Sequence, residues 1–123
     1  RQLDRWNDMR RKNALLYNDM LKDCDIATPV EKKYNEHIYH LYVIRAKNRQ
    51  KLAEHLNLRE IQTGVHYPTP IHLQEAYSHL GYRKGSFPIA EQHADEILSL
   101  PMFPELTEEQ ISYVSKSIRD FLK

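Results

Sequence analysis

Two prolines a single residue apart, Pro68 and Pro70, constrain the middle of this chain more than any other feature. Proline fixes φ and biases the residue before it towards extended geometry, so Tyr67 and Thr69 are both expected to be extended. The surrounding stretch, Gly64-Val65-His66-Tyr67-Pro68-Thr69-Pro70-Ile71-His72-Leu73-Gln74, joins a β-type run to this stiffened loop. It clusters two imidazoles, a phenol and an amide. A rigid loop holds polar side chains at low entropic cost, which suits the mouth of a ligand site. The plainer alternative is a stiff surface connection whose histidines are solvated.

At 123 residues the chain is one domain, or a piece of something larger. Its 41% apolar and 28% charged content is that of an ordinary globular segment. A formal net charge of +1 gives no reason to expect a nucleic-acid partner, which needs a clustered basic face. Arg10-Arg11-Lys12 is the densest basic run and reads as a solvated helix face. Cys24 is the only cysteine, so neither an internal disulfide nor a thiolate metal cage can form, and a reducing, cytoplasmic setting fits best. No apolar run approaches the ~20 residues of a membrane helix, so no membrane partner is expected.

Arg1 opens directly into a helical pattern, with Leu3, Trp6, Met9, Asn13, Leu16 and Met20 at spacings of three and four. No capping residue precedes it, which reads as a chain that starts inside a helix, a fragment. The long helix is expected over residues 1–22, ahead of Thr28-Pro29. Ile38 to Arg45 reads as a strand covered on both faces. Asn48 reads as the cap of a short helix carrying Leu52, Ala53 and Leu56, and Ile61 to Tyr67 as a second strand. A brief helical turn is expected around Leu73–Tyr77, with turns at Gly81 and Gly85. Ser86 is the expected cap of a helix that buries Ile89, Ala90, Ala94, Ile97 and Leu98. Leu98-Ser99-Leu100 adds a short third strand before Pro101. Thr107-Glu108-Glu109-Gln110 is a capping-box pattern, and Ile111, Val114, Ile118 and Phe121 line the last helix. The fold class is therefore α+β, a small antiparallel sheet of two to three strands packed with helices. Trp6, Met9 and Met20 are left over as groups for an absent domain or a second chain.

No complete catalytic set is present. His37 and His40 would point to opposite faces of a strand, and His66 and His72 lack a nearby acid or thiol at ligand spacing, so no metal site is expected. His55, His79 and His93 read as surface or boundary residues. No serine sits in a Gly-x-Ser-x-Gly elbow, and Cys24 has no base beside it. The glycines make no phosphate fingerprint. Glu91 and Glu96 read as solvated surface, and every lysine lies in a polar context unsuited to a Schiff base. Arg45 ends a hydrophobic strand, where its guanidinium either grips a carboxylate or phosphate or emerges into water.

Four motifs in order carry a family resemblance. They are His37-x-Tyr39-His40-Leu41-Tyr42-Val43-Ile44-Arg45, then Thr63-Gly64-Val65-His66-Tyr67-Pro68-x-Pro70-Ile71-His72-Leu73-Gln74. Phe87-Pro88-x-Ala90-Glu91 follows, and then Leu98-Ser99-Leu100-Pro101-Met102-x-Pro104-x-Leu106-Thr107-x-x-Gln110. Together they resemble the C-terminal portion of the DegT/DnrJ/EryC1/StrS aminotransferases, which act on nucleotide-linked keto-sugars. The resemblance runs over nearly the whole chain.

The resemblance implies a fold-type I enzyme dependent on pyridoxal phosphate, working as a homodimer. Residues 1–22 would then be the helix leading from an absent large domain, and residues 23–123 the small C-terminal domain. The Schiff-base lysine and the cofactor site belong to that large domain, so no catalytic or cofactor-binding residue is expected here and the fragment alone is expected to be inactive. The implied reaction moves an amino group from glutamate or glutamine to a nucleotide-linked keto-sugar, in cell-surface polysaccharide or antibiotic-sugar synthesis. By the same resemblance, His66 and Tyr67 help to hold the nucleotide-sugar, and His72, Gln74 and Tyr77 support that loop or make outer contacts. Arg45 completes the substrate-binding set. The family's Lys-Gly-Ile appears here as Arg59-Glu60-Ile61, and the lost glycine is expected to change a turn. Two alternatives remain: a sugar dehydratase of the same family, and a non-catalytic interaction or regulatory module with the same fold.

Overall fold

A computed structural model describes residues 2–123. Helix α1 (Gln2–Leu21) is followed by a long connection to strand β1 (Tyr42–Arg45) and helix α2 (Arg49–Asn57). Two short 3₁₀ turns (Ile71–Leu73 and Glu75–Leu80) precede helix α3 (Pro88–Glu96), strand β2 (Ile97–Leu100) and helix α4 (Glu108–Leu122). The α+β class expected from the sequence is the one observed.

The sheet is smaller than the sequence suggests, and prolines set its limits. β1 and β2 pair antiparallel, Tyr42 with Leu100 and Arg45 with Ile97. Each edge then gains one isolated bridge, Ala27 on β1 and Gly64 on β2. The expected strand Ile61–Tyr67 contributes only that single contact. To lengthen it, Gln62 would need the amide of Pro101, which has no N–H. On the other side His66 would need the amide of Ile97, and that amide donates to His93 O at the end of α3. The Ala27 bridge stops in the same way, because its next register places Pro29 opposite Val43. Proline at an edge is also what keeps further strands from adding.

β1 begins at Tyr42 rather than Ile38, since Tyr39 takes a left-handed φ of 49° that ends the extended run. His37 and His40 therefore lie on a loop, where the Tyr39 amide donates to His37 Nδ1 at 2.9 Å. Only one face of β1 is fully covered: Tyr42 and Ile44 are buried, whereas Val43 and Arg45 are half-buried.

The core forms between the sheet and three helices. α1 contributes Ala14, Tyr17 and Leu21, α2 contributes Leu52 and Leu56, and α4 contributes Ile111, Val114 and Ile118. The buried stripe of α1 thus sits one position away from much of the spacing read in the sequence. Met20 packs against this chain's own core, while Leu3 and Trp6 remain exposed. Tyr17 stacks on Tyr42 with ring centroids 4.8 Å apart, and its hydroxyl donates to Pro101 O at 3.1 Å. The Tyr42 hydroxyl donates to Asn18 Oδ1 at 2.6 Å. Burial pushes both phenols up, Tyr17 and Tyr42 alike. The connection after α1 is pinned from the same helix by Arg11, which bonds Glu31 Oε1 at 2.7 Å and His37 O at 2.8 Å.

Helix ends follow local chemistry with two departures. α4 starts with the expected capping box, Thr107 Oγ1 accepting from the Gln110 amide and Gln110 Oε1 from the Thr107 amide. Asn48 occupies the N-cap of α2 but makes no side-chain cap bond. Ser86 does not cap α3: Phe87 is the N-cap, Pro88 begins the helix, and Ser86 Oγ accepts from the Arg83 amide. The buried face of α3 is shorter than expected, with Ala94 buried, Ile97 half-buried and Ile89 71% exposed.

α2 ends in a Schellman arrangement: the Ile61 amide donates to Leu56 O at 3.0 Å and the Glu60 amide to Asn57 O at 2.9 Å. Glu60 stands at a φ of 60°, the left-handed position that favours glycine. The turn is therefore kept although the family's glycine is absent, and the substitution leaves strain instead of a new turn. Replacing Glu60→Gly should stabilise the fold by about 0.5–1 kcal/mol, relieving left-handed strain against glycine's larger entropy loss. A rise in the urea midpoint at unchanged slope is the expected readout.

Candidate functional site

The loop after Gly64 is held to the sheet at its base. Gly64 and Ser99 exchange backbone hydrogen bonds of 3.1 and 2.7 Å, and His66 Nδ1 lies 2.9 Å from Ser99 Oγ. The imidazole folds back over Gly64, where a Cβ would sit 2.7 Å from His66 Cε1. A side chain at position 64 would push the His66 ring out of this position. The His66–Tyr67 peptide is cis. Further along, Gln74 Nε2 lies 3.5 Å from Thr69 O across the proline turn.

A second fastening comes from Glu91, read from the sequence as solvated surface. Its carboxylate accepts from the Gly85 amide at 2.8 Å, the Phe87 amide at 3.2 Å and His72 Nε2 at 2.9 Å. Glu91 therefore supplies the start of α3 with the capping bond that Ser86 does not make. The pair is well shielded, with side-chain exposure of 9% for His72 and 13% for Glu91. Phe87 packs edge-on against the His72 ring at 4.8 Å. The Gly85 amide, with His72 and the Phe87 amide behind it, holds the Glu91 carboxyl below the usual carboxylate range. Glu96, also read as solvated, instead bonds the Arg45 guanidinium at 3.2 Å.

Between these fastenings lies an open cleft of about 600 Å³. Tyr67, Ile71, His72, Gln74 and Tyr77 line the loop side, and Phe87, Ala90 and His93 line the α3 side. Its rim is apolar and exposed, including Ile71 (69%), Leu80 (54%) and Tyr82 (49%). No Lys, Arg, Asp or Glu is among the lining residues. The volume is that of a small-molecule site, where an apolar wall with few polar groups is the usual make-up.

Four of the six sequence-selected residues thus meet at one place: Tyr67, His72, Gln74 and Tyr77. His66 stands beside Tyr67, ring centroids 5.6 Å apart, with Nδ1 turned to Ser99. Arg45 lies outside the cleft, its guanidinium engaged by Glu96. Sequence reasoning placed none of Phe87, Ala90 and His93 in a site: Ala90 was expected in the buried helix face and is exposed, and His93 was read as a surface residue, although the Phe87-Pro88-x-Ala90-Glu91 motif marks that wall. Among the described residues no group of histidine, cysteine and carboxylate side chains is arranged to hold a metal ion.

Residues 1–119 match the model of the DegT/DnrJ/EryC1/StrS aminotransferase family. The chain belongs to that family. A pleiotropic regulatory protein of Geobacillus stearothermophilus is 45% identical over 98% of this chain and 33% of its own length. The dTDP-3-amino-3,6-dideoxy-alpha-D-galactopyranose transaminase of Aneurinibacillus thermoaerophilus is 36% identical over 97% of this chain and 32% of its own. The crystal structure of S. venezuelae DesV with a ketimine intermediate superimposes with a TM-score of 0.93 at 36% identity. That match covers 98% of this chain and 33% of DesV. The chain spans about a third of the length of the curated relatives it matches.

Pyridoxal phosphate, which the family implies, does not fit the residues present. Every lysine from Lys12 to Lys123 is exposed, and none lines the cleft. No carboxylate faces the cleft to pair with a pyridine nitrogen. What this chain offers is a wall and a rim for a ligand.

Because the folded Glu91 carboxyl lies below its ordinary value, its stabilising contribution is complete above that value, about pH 4.3 for glutamate. It is lost as pH falls through the lower folded value. The protection of the Gly85 and Phe87 amides, their exchange measured against the intrinsic rate at each pH, should therefore fall on acidification through this window. In Glu91→Gln the same amides should exchange faster at neutral pH, with the acid-dependent step removed.

Proposed function

We propose that this chain is the small domain of a pyridoxal-phosphate-dependent aminotransferase that carries an amino group from glutamate or glutamine to a nucleotide-linked keto-sugar. The observation that carries this reading is the family match along residues 1–119, with nucleotide-sugar transaminases among relatives aligned over nearly the whole chain. In this reading residues 1–22 lead from a large domain that holds the cofactor and its lysine, and residues 23–123 form the small domain. The working unit is a homodimer in the cytoplasm. Among the described residues no helix is long and apolar enough to cross a membrane, and the site needs none.

The cleft supports a positioning role. Its aromatic and aliphatic wall offers a surface on which a nucleoside base or a sugar face can be desolvated. The Tyr67 hydroxyl and His66 Nε2 are hydrogen-bonding groups free to meet ligand oxygens. His72 and Gln74 support the loop: the one is bonded to Glu91 and the other lies against Thr69 O. The lining carries no fixed charge, so the charge of a diphosphate must be met by groups from beyond this chain.

The test is made on the full-length protein. It should show a pyridoxal absorbance band that shifts on adding glutamate or glutamine and returns on adding a keto-sugar nucleotide. A regulatory module would show neither band nor turnover, and a dehydratase would release no aminated sugar. Within an active enzyme, Tyr67→Phe should raise KM roughly fivefold while kcat stays near the parent value. That is the pattern of a lost binding hydrogen bond of about 1 kcal/mol.

A further inference from the structure

His66 has two ring nitrogens, and one is taken by Ser99. Ser99 is 5% exposed and lies at the middle of β2, where its amide and carbonyl are both bonded to Gly64. Its Cα is therefore fixed, and its side chain faces the space that Gly64 leaves open. The His66 ring enters that space and brings Nδ1 to 2.9 Å from Ser99 Oγ. Among the described residues the hydroxyl makes no other hydrogen bond.

That single contact decides the direction of the bond. A serine hydroxyl has one proton to give, and a buried donor without an acceptor costs about 1–3 kcal/mol. If Nδ1 carried the proton and donated to Oγ, the Ser99 proton would be left with no acceptor in a closed strand position. If Ser99 donates to Nδ1, both groups are satisfied and the imidazole carries its proton on Nε2. We infer that Ser99, with the space left by Gly64, is a positioning residue that holds His66 as the Nε2–H tautomer and so makes it a hydrogen-bond donor beside Tyr67 of the cleft lining. This assignment rests on the proposed function for its ligand, a nucleotide oxygen, but not for its tautomer.

The consequence is chemical. A ring whose Nδ1 lone pair is occupied and whose Nε2 bears a proton cannot accept a proton from a substrate at Nε2. It can donate to a phosphate or sugar oxygen. His66 is then a recognition group and no general base, although it stands close to the cleft.

Long-range proton–nitrogen correlation spectra of the protein labelled in its histidines, recorded at about pH 8 where imidazole is neutral, test this directly. His66 is assigned by its loss in His66→Gln. The expected result is one fixed tautomer with Nδ1 as a bare acceptor and Nε2 protonated, kept in Ser99→Thr and replaced by exchange-averaged nitrogens in Ser99→Ala. A proton on Nδ1, or averaged signals already in the parent, overturns the assignment even if Ser99→Ala fails to fold. Unchanged signals in Ser99→Ala overturn it as well.

A binding cycle with dTDP supplies the second reading. Ser99→Ala should weaken dTDP roughly three- to tenfold, the size of one hydrogen bond, and should add nothing further in a His66→Gln background. An equal loss in that background would show a merely structural serine and overturn the assignment. If the parent binds neither dTDP nor UDP, the functional reading fails, while the tautomer spectra still decide the role of Ser99.

Discussion

One pair of backbone hydrogen bonds, between Gly64 and Ser99, attaches the loop that carries the cleft to the sheet that carries the core. It is a single bridge, and its length is set by its neighbours: Pro101 lacks an amide proton and the Ile97 amide is committed to α3. Had the ladder continued by one more pair, His66 would be a strand residue bonded through its backbone. Because the ladder stops, the residues after Gly64 are free to turn away. Pro68 and Pro70 then limit the directions in which they can go.

A two-stranded sheet is a weak foundation by itself, since an isolated pair of strands is marginal in water. Here the sheet shares one core with α1, α2 and α4, and the Tyr17–Tyr42 stack is a point where helix and strand meet. Tyr17 also reaches Pro101 O, a carbonyl at the end of β2. One phenol thus fixes the strand that carries Ser99 and satisfies a polar group at its end. The site is one step removed from the core, because Ser99 is held by the sheet and His66 is held by Ser99.

Much of this was legible in the sequence where the signal was local. The capping box at Thr107 and Gln110 spans three residues, and the apolar spacing of α4 repeats over four turns, so both could be read directly. The proline loop with Tyr67, His72 and Gln74 was likewise marked by composition, whereas Tyr77 and the site roles came from the family resemblance. The misread positions share a cause, which is distance along the chain. Glu91 looked like a solvated helix residue because its partner His72 lies 19 positions away, and Arg45 was offered to a substrate because its partner Glu96 lies 51 away. The His66–Ser99 contact crosses 33 positions. The missing third strand was foreseeable in part, since Pro101 stands in the sequence, but only the register shows which amide it withholds.

The polar groups around the cleft fall into two sets, and the division bears on what the site can do. His72, Glu91, Gln74 and Ser99 contact one another or nearby protein groups, and their work is to hold the walls. The Tyr67, Tyr77 and Tyr82 hydroxyls and the His93 ring make no protein hydrogen bond among the described residues and are left for a ligand, with the second nitrogen of His66 beside them, on a surface without Lys, Arg, Asp or Glu. A site of this make-up is suited to recognition: it can strip water from a ring and orient it with hydrogen bonds, and it has no lysine in its lining to form a Schiff base. In the proposed reading, the amino-transfer chemistry is brought to this wall from a large domain. The rigidity of the wall, set by one glycine, one serine and one half-buried carboxylate, is what the chain contributes to it.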